Sequence, residues 1–335
     1  MAAFEDTGMK KEISRAAQIG RLAVFLIIAA VLVLAATAVL KPKRLENPYD
    51  NTRKERGFYM EERDSLDLIF VGSSELFSTV NPSVLEKEQG YRSYVFAGNE
   101  QPFSISYYYI MEALKYQKPQ AIVLEVSYCN WGKQPREAVV RLNFDDMRWG
   151  KAKILGIMNN VPRQEWEYYF LEISKYHSRW DSLTQEDWKW WESYYSRNPA
   201  GGWSAFDGGE ESGEDYGEQI PQERKVLDPA AMAWLEKIVE LCEENGVQLI
   251  LFKTPNGGKI IDQNVEEGSE DAFRYIDGVA YYNELGRIAG EKGIPFLDMN
   301  RLMTGRHHND AENAEKATRA LGEWLAETVQ MGGNE

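Results

Sequence analysis

The chain predicts an α/β fold of three layers, a parallel sheet with helices on both faces, set behind an N-terminal transmembrane helix. Three observations carry this. Short apolar runs at 67–71, 94–97, 121–126, 247–252 and 294–298 read as buried strands, since they are too continuous for half-exposed ones. Helical patterns separate them, which implies right-handed crossovers and a site at the C-terminal strand ends. Residues 22–40 carry no charged side chain over about the length needed to cross a hydrocarbon core.

Residues 1–20 read as a mixed-charge cytoplasmic leader, 21–40 as a transmembrane anchor contacting lipid through 22–40, and 41–64 as a polar stalk. The rival reading is a cleavable secretory signal. Lys10, Lys11, Arg15 and Arg21 would form its basic region and Ala36-Thr37-Ala38 its cleavage site. The apolar run is longer than such signals carry and has no polar stretch before that site, which favours the anchor. Lys41, Lys43 and Arg44 flank the other end, so counting Lys and Arg does not orient the helix.

Residues 65–331 make the globular domain. Its first strand stops at Gly72-Ser73-Ser74-Glu75, where a turn at the sheet edge lifts a hydroxyl into the crevice that α/β folds use for ligands. Ser74 is the candidate nucleophile. A tight turn followed by a helix cap explains the same residues, so the block alone does not decide. Asn81-Pro82 opens a short helix, the second strand ends at Gly98-Asn99, and 104–116 is helical. From 141 to 225 the pattern becomes an insertion. It is helical and aromatic as far as Trp203, a spacing that favours a core over an exposed platform, and then a mobile acidic loop over 201–223. Asp228-Pro229 caps a helix to Asn245. Helices at 280–292 and 314–329 flank the last strand.

The 335 residues include 43% hydrophobic ones, enough for a normal core, and carry a net charge of -15. Such an acidic chain, with a pI near 4.9, is a poor match for a phosphate backbone, so no nucleic acid is expected as a partner. The two cysteines, Cys129 and Cys242, show no metal-ligand spacing, and Cys242 sits at apolar helical positions as a buried thiol. Neither metal nor cofactor is expected. A serine nucleophile needs a base, and only His177, His307 and His308 offer an imidazole. His307 and His308 lie in the loop before the last helix, which a parallel sheet returns to the Ser74 edge. His177, within Tyr176-His177-Ser178-Arg179-Trp180, reads as structural or substrate-side.

This order of parts resembles the SGNH (GDSL-type) hydrolase superfamily. Gly72-Ser73-Ser74-Glu75-Leu76 with Asn81-Pro82 is similar to its membrane-anchored envelope branch, that of the teichoic acid D-alanylation protein. The resemblance covers 67–126 and 247–329. It implies a flavodoxin-like/SGNH sheet, Ser74 as nucleophile, and the N–H groups of Ser74 and Gly98 as oxyanion donors. Asn130 is a positional candidate for the third-block asparagine, and His308 matches the base, with His307 as the alternative register. The family carries Asp-x-x-His before the final helix. Counting back from Asn313-Ala314-Glu315-Lys316 puts Gly305 where that aspartate belongs for His308, and Thr304 for His307. Asp298 and Asp310 are the remaining candidates for the orienting acid.

The implied function is that of a single-pass membrane protein with an extracytoplasmic domain, a serine esterase or O-acyltransferase acting on a cell-envelope polysaccharide or teichoic acid. The departure at the aspartate leaves a second reading. In it the chain is a degenerate SGNH-like scaffold that binds an envelope glycan or a membrane-bound O-acyltransferase. A nucleotide-binding fold is disfavoured, because no Gly-x-Gly-x-x-Gly or Gly-x-x-x-x-Gly-Lys-Ser/Thr occurs.

Overall fold

The computed structural model describes residues 15–42, 52–188, 198–205, 222–264, 274–306 and 308–329. It divides into two compact units, one of residues 1–43 with 167–190 and the other of 44–166 with 191–335.

In chain order, helix α1 (Arg15–Leu40) is followed in the larger unit by α2 (Thr52–Phe58), β1 (Leu68–Val71), α3 (Ser74–Thr79), α4 (Pro82–Gln89) and β2 (Ser93–Val95). Next come α5 (Phe103–Tyr116), β3 (Ala121–Glu125), α6 (Glu137–Phe144) and α7 (Lys151–Asn160). Short helices α8 (Trp166–Phe170) and α9 (Ile173–Tyr176) precede α10 (Pro229–Glu244), β4 (Gln248–Lys253), β5 (Lys259–Ile261) and β6 (Tyr275–Asp277). Then α11 (Val279–Lys292), β7 (Phe296–Asp298) and α12 (Ala311–Thr328) complete the chain.

Five parallel strands form one sheet in the order β2-β1-β3-β4-β7, with Leu68 opposite Ser93 on one side and Ala121 on the other. Counting only these strands along the chain, the order is 2-1-3-4-5, a doubly wound arrangement whose direction of winding reverses at β1 and β3. In such folds the loops leaving those two strands diverge and ligands bind between them; here Ser74 lies just after β1.

Strands of a sheet covered on both faces must be apolar at every position, and those of β1 and β3 are fully buried. Leu68, Phe70, Val123, Ile250 and Phe252 form one core with Leu85 of α4 and Ala317, Leu321 and Leu325 of α12. The alternate positions Ile69, Val71, Ile122, Leu124 and Leu251 are equally buried, and α5 and α10 pack on β1 and β4. Polar caps set where the helices begin. Asn81, Asp228 and Asp310 each accept hydrogen bonds from N–H groups of the first turn, and Asp310 starts α12 earlier than the 314 expected from periodicity.

Two expectations need correction, and one feature was not anticipated. The stalk is not a spacer throughout, because Phe58 stacks on Phe96 at 4.3 Å between ring centroids, Tyr94 donates to the Lys54 carbonyl and Arg56 pairs with Asp146 at 2.6 Å. A charged helix is held there by aromatic packing and buried partners, neither of which periodicity reports. The insertion also divides. Phe144 is buried and α7 packs on α5, so these residues belong to the larger unit, while 167–190 join α1. Finally, the antiparallel pair β5–β6 went unforeseen. The first 14 residues, 206–221 of the acidic loop, Trp190, Trp191, Tyr194, Tyr195 and His307 lie outside the described residues.

α1 is a single helix of 26 residues with no buried side chain, long and apolar enough to cross a membrane. Cys129 and Cys242 are free and buried, and burial pushes the Cys242 thiol up to about 12.

Candidate active site

Gly72 ends β1 because nothing larger fits. A Cβ there would stand 2.4 Å from the Cβ of Glu125 at the end of β3. This close approach separates the two serines that follow. Ser73 is fully buried and turns inward, its hydroxyl donating to Glu125 Oε2 at 2.8 Å and its N–H to the same oxygen at 3.2 Å. Ser74, the first residue of α3, is only partly buried. Its backbone N–H lies in the first turn of a helix, where no intrahelical acceptor exists.

His308 Nε2 lies 3.0 Å from Ser74 Oγ, across 234 positions of chain. With the imidazole proton on Nδ1, Nε2 accepts the hydroxyl hydrogen, which is the geometry of a general base beside its nucleophile. Two features hold the histidine loop there. Asn309 is fully buried, accepts from the Arg306 N–H at 3.2 Å and donates to Thr79 Oγ1 at 2.8 Å, so the base is pinned to the far end of the helix that carries the nucleophile. Gly305 passes so near β4's loop that a Cβ would fall 1.9 Å from the Pro255 carbonyl oxygen. Thr318 of α12 secures the same corner, donating to the Thr79 carbonyl at 3.1 Å and accepting from the Asn81 N–H at 3.0 Å.

The other candidates lie elsewhere. Asp310 accepts from the Asn313 N–H at 2.9 Å as the cap of α12 and faces Arg306 at 3.5 Å. Asp298 accepts from the Asn300 N–H and side-chain amide at 3.1 and 2.8 Å and faces Arg301 at 3.6 Å. Among the described residues, neither aspartate is hydrogen-bonded to His308; both serve chain turns. The Gly98 N–H is engaged as well, with Gln101 Oε1 at 2.8 Å and the Gly72 carbonyl at 3.1 Å, because the chain keeps pairing with β1 beyond β2. It is therefore not presented to an oxyanion in this conformation. Asn130 accepts from the Asp228 N–H at 2.8 Å and anchors the start of α10. His177 Nδ1 contacts the Ser174 carbonyl at 2.8 Å within the smaller unit.

Beneath the serines lies a polar network that sequence patterning missed. Lys253, at the end of β4 and wholly buried, pairs with Glu75 at 2.8 Å and donates to Ser127 and Thr254 at 2.8 and 3.1 Å. Both hydroxyls pass their hydrogens to Glu75 Oε2, each at 2.7 Å, and Asn256 donates to both Glu75 oxygens at 3.0 and 2.9 Å. Glu125 accepts from the Ser127 N–H at 2.6 Å and from Ser73, so the ends of β1, β3 and β4 are tied into one block. Two carboxylates thus share one ammonium. Burial raises the Glu125 carboxyl above its usual range, the Lys253 charge opposes this, and Glu75 reinforces it. The available signal was a charged residue inside an otherwise apolar strand, Glu125 in Ala-Ile-Val-Leu-Glu-Val and Lys253 after Leu-Ile-Leu-Phe.

No protein-family model matches the chain, and no curated protein matches it either.

Proposed function

We propose that this chain is a membrane-anchored, extracytoplasmic protein of SGNH hydrolase type whose Ser74 and His308 carry out O-acyl chemistry on a cell-envelope polymer. The observation that carries the reading is the 3.0 Å contact between Ser74 Oγ and His308 Nε2, formed at the switch point of a doubly wound sheet. Ser74 Oγ attacks the ester carbonyl while its proton moves to His308 Nε2. The oxyanion that forms faces the Ser74 N–H. Collapse of the intermediate breaks the ester C–O bond, and His308 returns the proton to the departing alcohol. The acyl group on Ser74 then passes to water, as in an esterase, or to an acceptor hydroxyl, as in a transferase. The apolar α1 would keep the site near a lipid-linked or wall-linked substrate and raise its effective concentration.

The scaffold reading has its own support. The Gly98 N–H is occupied, and Asp298 and Asp310 serve turns rather than the imidazole. A fluorophosphonate probe applied to the detergent-solubilised chain separates the two. Labelling lost in Ser74→Ala and slowed about a hundredfold or more in His308→Ala supports the activated serine. Wild-type protein that stays unlabelled supports the scaffold that binds a glycan or docks to a membrane-bound O-acyltransferase.

A further inference from the structure

Residues 22–40 amount to 19 positions, about 28 Å of helix at ~1.5 Å per residue, close to the ~30 Å of a hydrocarbon core. A span of about 17 residues or more therefore takes up nearly all of this stretch. Yet within the smaller unit the two C-terminal turns of α1 are not bare: positions 33 and 36–40 are partly covered, whereas 22–28, 31, 32 and 34 are exposed. The cover comes from α9 and the turns at His177–Asp181 and Glu186–Trp188, all packed on α1.

Polar contacts fix this cover to the end of the helix. Arg179 donates to the Leu40 carbonyl, one of the helix-end acceptors without an intrahelical partner, and pairs with Asp187 at 3.0 Å. Lys41 faces Glu172 at 3.8 Å. Asp187 also accepts from the Thr184 N–H and hydroxyl, closing 179–187 into a compact loop. Tyr169 and Tyr176 fill the inside of the module. Its outside mixes polar residues, Asp181, Thr184 and Glu186 among them, with large apolar ones: Trp180 is 73% exposed, Trp188 59%, and Phe170 and Leu171 are exposed too. Two tryptophans displayed on a loop that buries two tyrosines are costly in water, and indole rings beside the end of a spanning helix favour the headgroup region.

We propose that residues 167–188 form an interfacial foot that lies in the headgroup region of a phospholipid bilayer, with Trp180 and Trp188 inserted beside the C-terminal end of α1. This rests on α1 being an uncleaved anchor. If 22–40 spans, Leu40 and Lys41 end at the interface, and their contacts with Arg179 and Glu172 carry the foot to that level. The exposed tryptophans then meet the headgroup region instead of bulk water. It also accounts for the aromatic composition of this segment, which a purely internal core does not explain.

The test uses the full chain reconstituted in phosphatidylcholine vesicles, with an environment-sensitive nitrobenzoxadiazole dye on one introduced cysteine. The positions are Trp180→Cys, Trp188→Cys, Leu32→Cys in α1 and Glu243→Cys on the larger unit. Cys129 and Cys242 are buried, leaving the introduced thiol as the reactive one. Phosphatidylcholine nitroxide-labelled at the headgroup should lower emission from positions 180 and 188 about twofold or more, and lipid labelled deep in the acyl chain should do so for position 32 only. Dye at 180 and 188 that ignores both lipids while position 32 responds to the deep one overturns the foot and leaves the anchor standing. Quenching of 180 and 188 mainly by the deep label overturns the interfacial depth. A silent position 32 removes the anchor reading and the foot together.

Discussion

Replacing Lys253 by methionine isolates the role of the buried ammonium, because methionine keeps most of the aliphatic stem and removes only the charge. In the wild type that charge sits 2.8 Å from Glu75 and is fully enclosed, with the Tyr282 ring centroid 5.4 Å away. Its loss removes the ammonium that pairs with Glu75 and whose charge favours ionised Glu125. Breaking a buried pair from one side costs about 3–5 kcal/mol. At roughly 2–4 °C per kcal/mol for a unit of this size, Tm should fall by about 6–20 °C. The pH dependence follows from Glu125. A carboxyl whose folded value is raised above the ordinary 4.5 holds more protons folded than unfolded, so stability declines as pH rises from that value towards the folded one. Lys253 opposes the rise, so removing it extends the declining range upward, at a limit of about 1.4 kcal/mol per pH unit for each proton. The deficit of Lys253→Met should therefore be larger at pH 8 than at pH 5. Tryptophan fluorescence of the detergent-solubilised chain during heating measures both. A fall under about 2 °C at pH 7, or a deficit that shrinks between pH 5 and 8, would refute the reasoning. Adding Glu75→Gln should restore part of the loss, a coupling of about 1 kcal/mol or more.

Asn309→Ala removes the hydrogen bond to Thr79 and leaves that buried hydroxyl in need of another partner; a loss of about 1–3 kcal/mol is expected by thermal melting. If the tie positions His308, the same variant also slows fluorophosphonate labelling at temperatures where it is fully folded. Gly72→Ala drives a methyl into Glu125 and should cost about 1–3 kcal/mol or more, with the probe reaction lost ahead of the fold. Asp228→Ala removes the cap of α10, about 1 kcal/mol, and labelling of the folded variant should be unchanged, because Asn130 and Asp228 serve the helix start and not the serine.

The strands and their helices were legible in the chain because a sheet covered on both faces demands uninterrupted apolar runs, and 67–71, 121–126 and 247–252 can satisfy little else. Ser74 and His308 were legible for a related reason: parallel strands return each following loop to one edge, so the order of blocks already implies a meeting place. What could not be read was the role of Ser73 beside Ser74: its hydroxyl turns inward onto Glu125, a carboxylate that the close approach of Gly72 brings within reach. Lys253, Asn256 and Asn309 escaped notice because a polar residue at the end of a strand or in a loop looks like any turn residue until its buried partner, about 180 to 230 positions away, is in view. The charged stretch around Arg56 and the exposed tryptophans misled for the same reason in opposite senses. Composition sets the average preference of a side chain for water, whereas burial is decided by which distant surface the folded chain places against it.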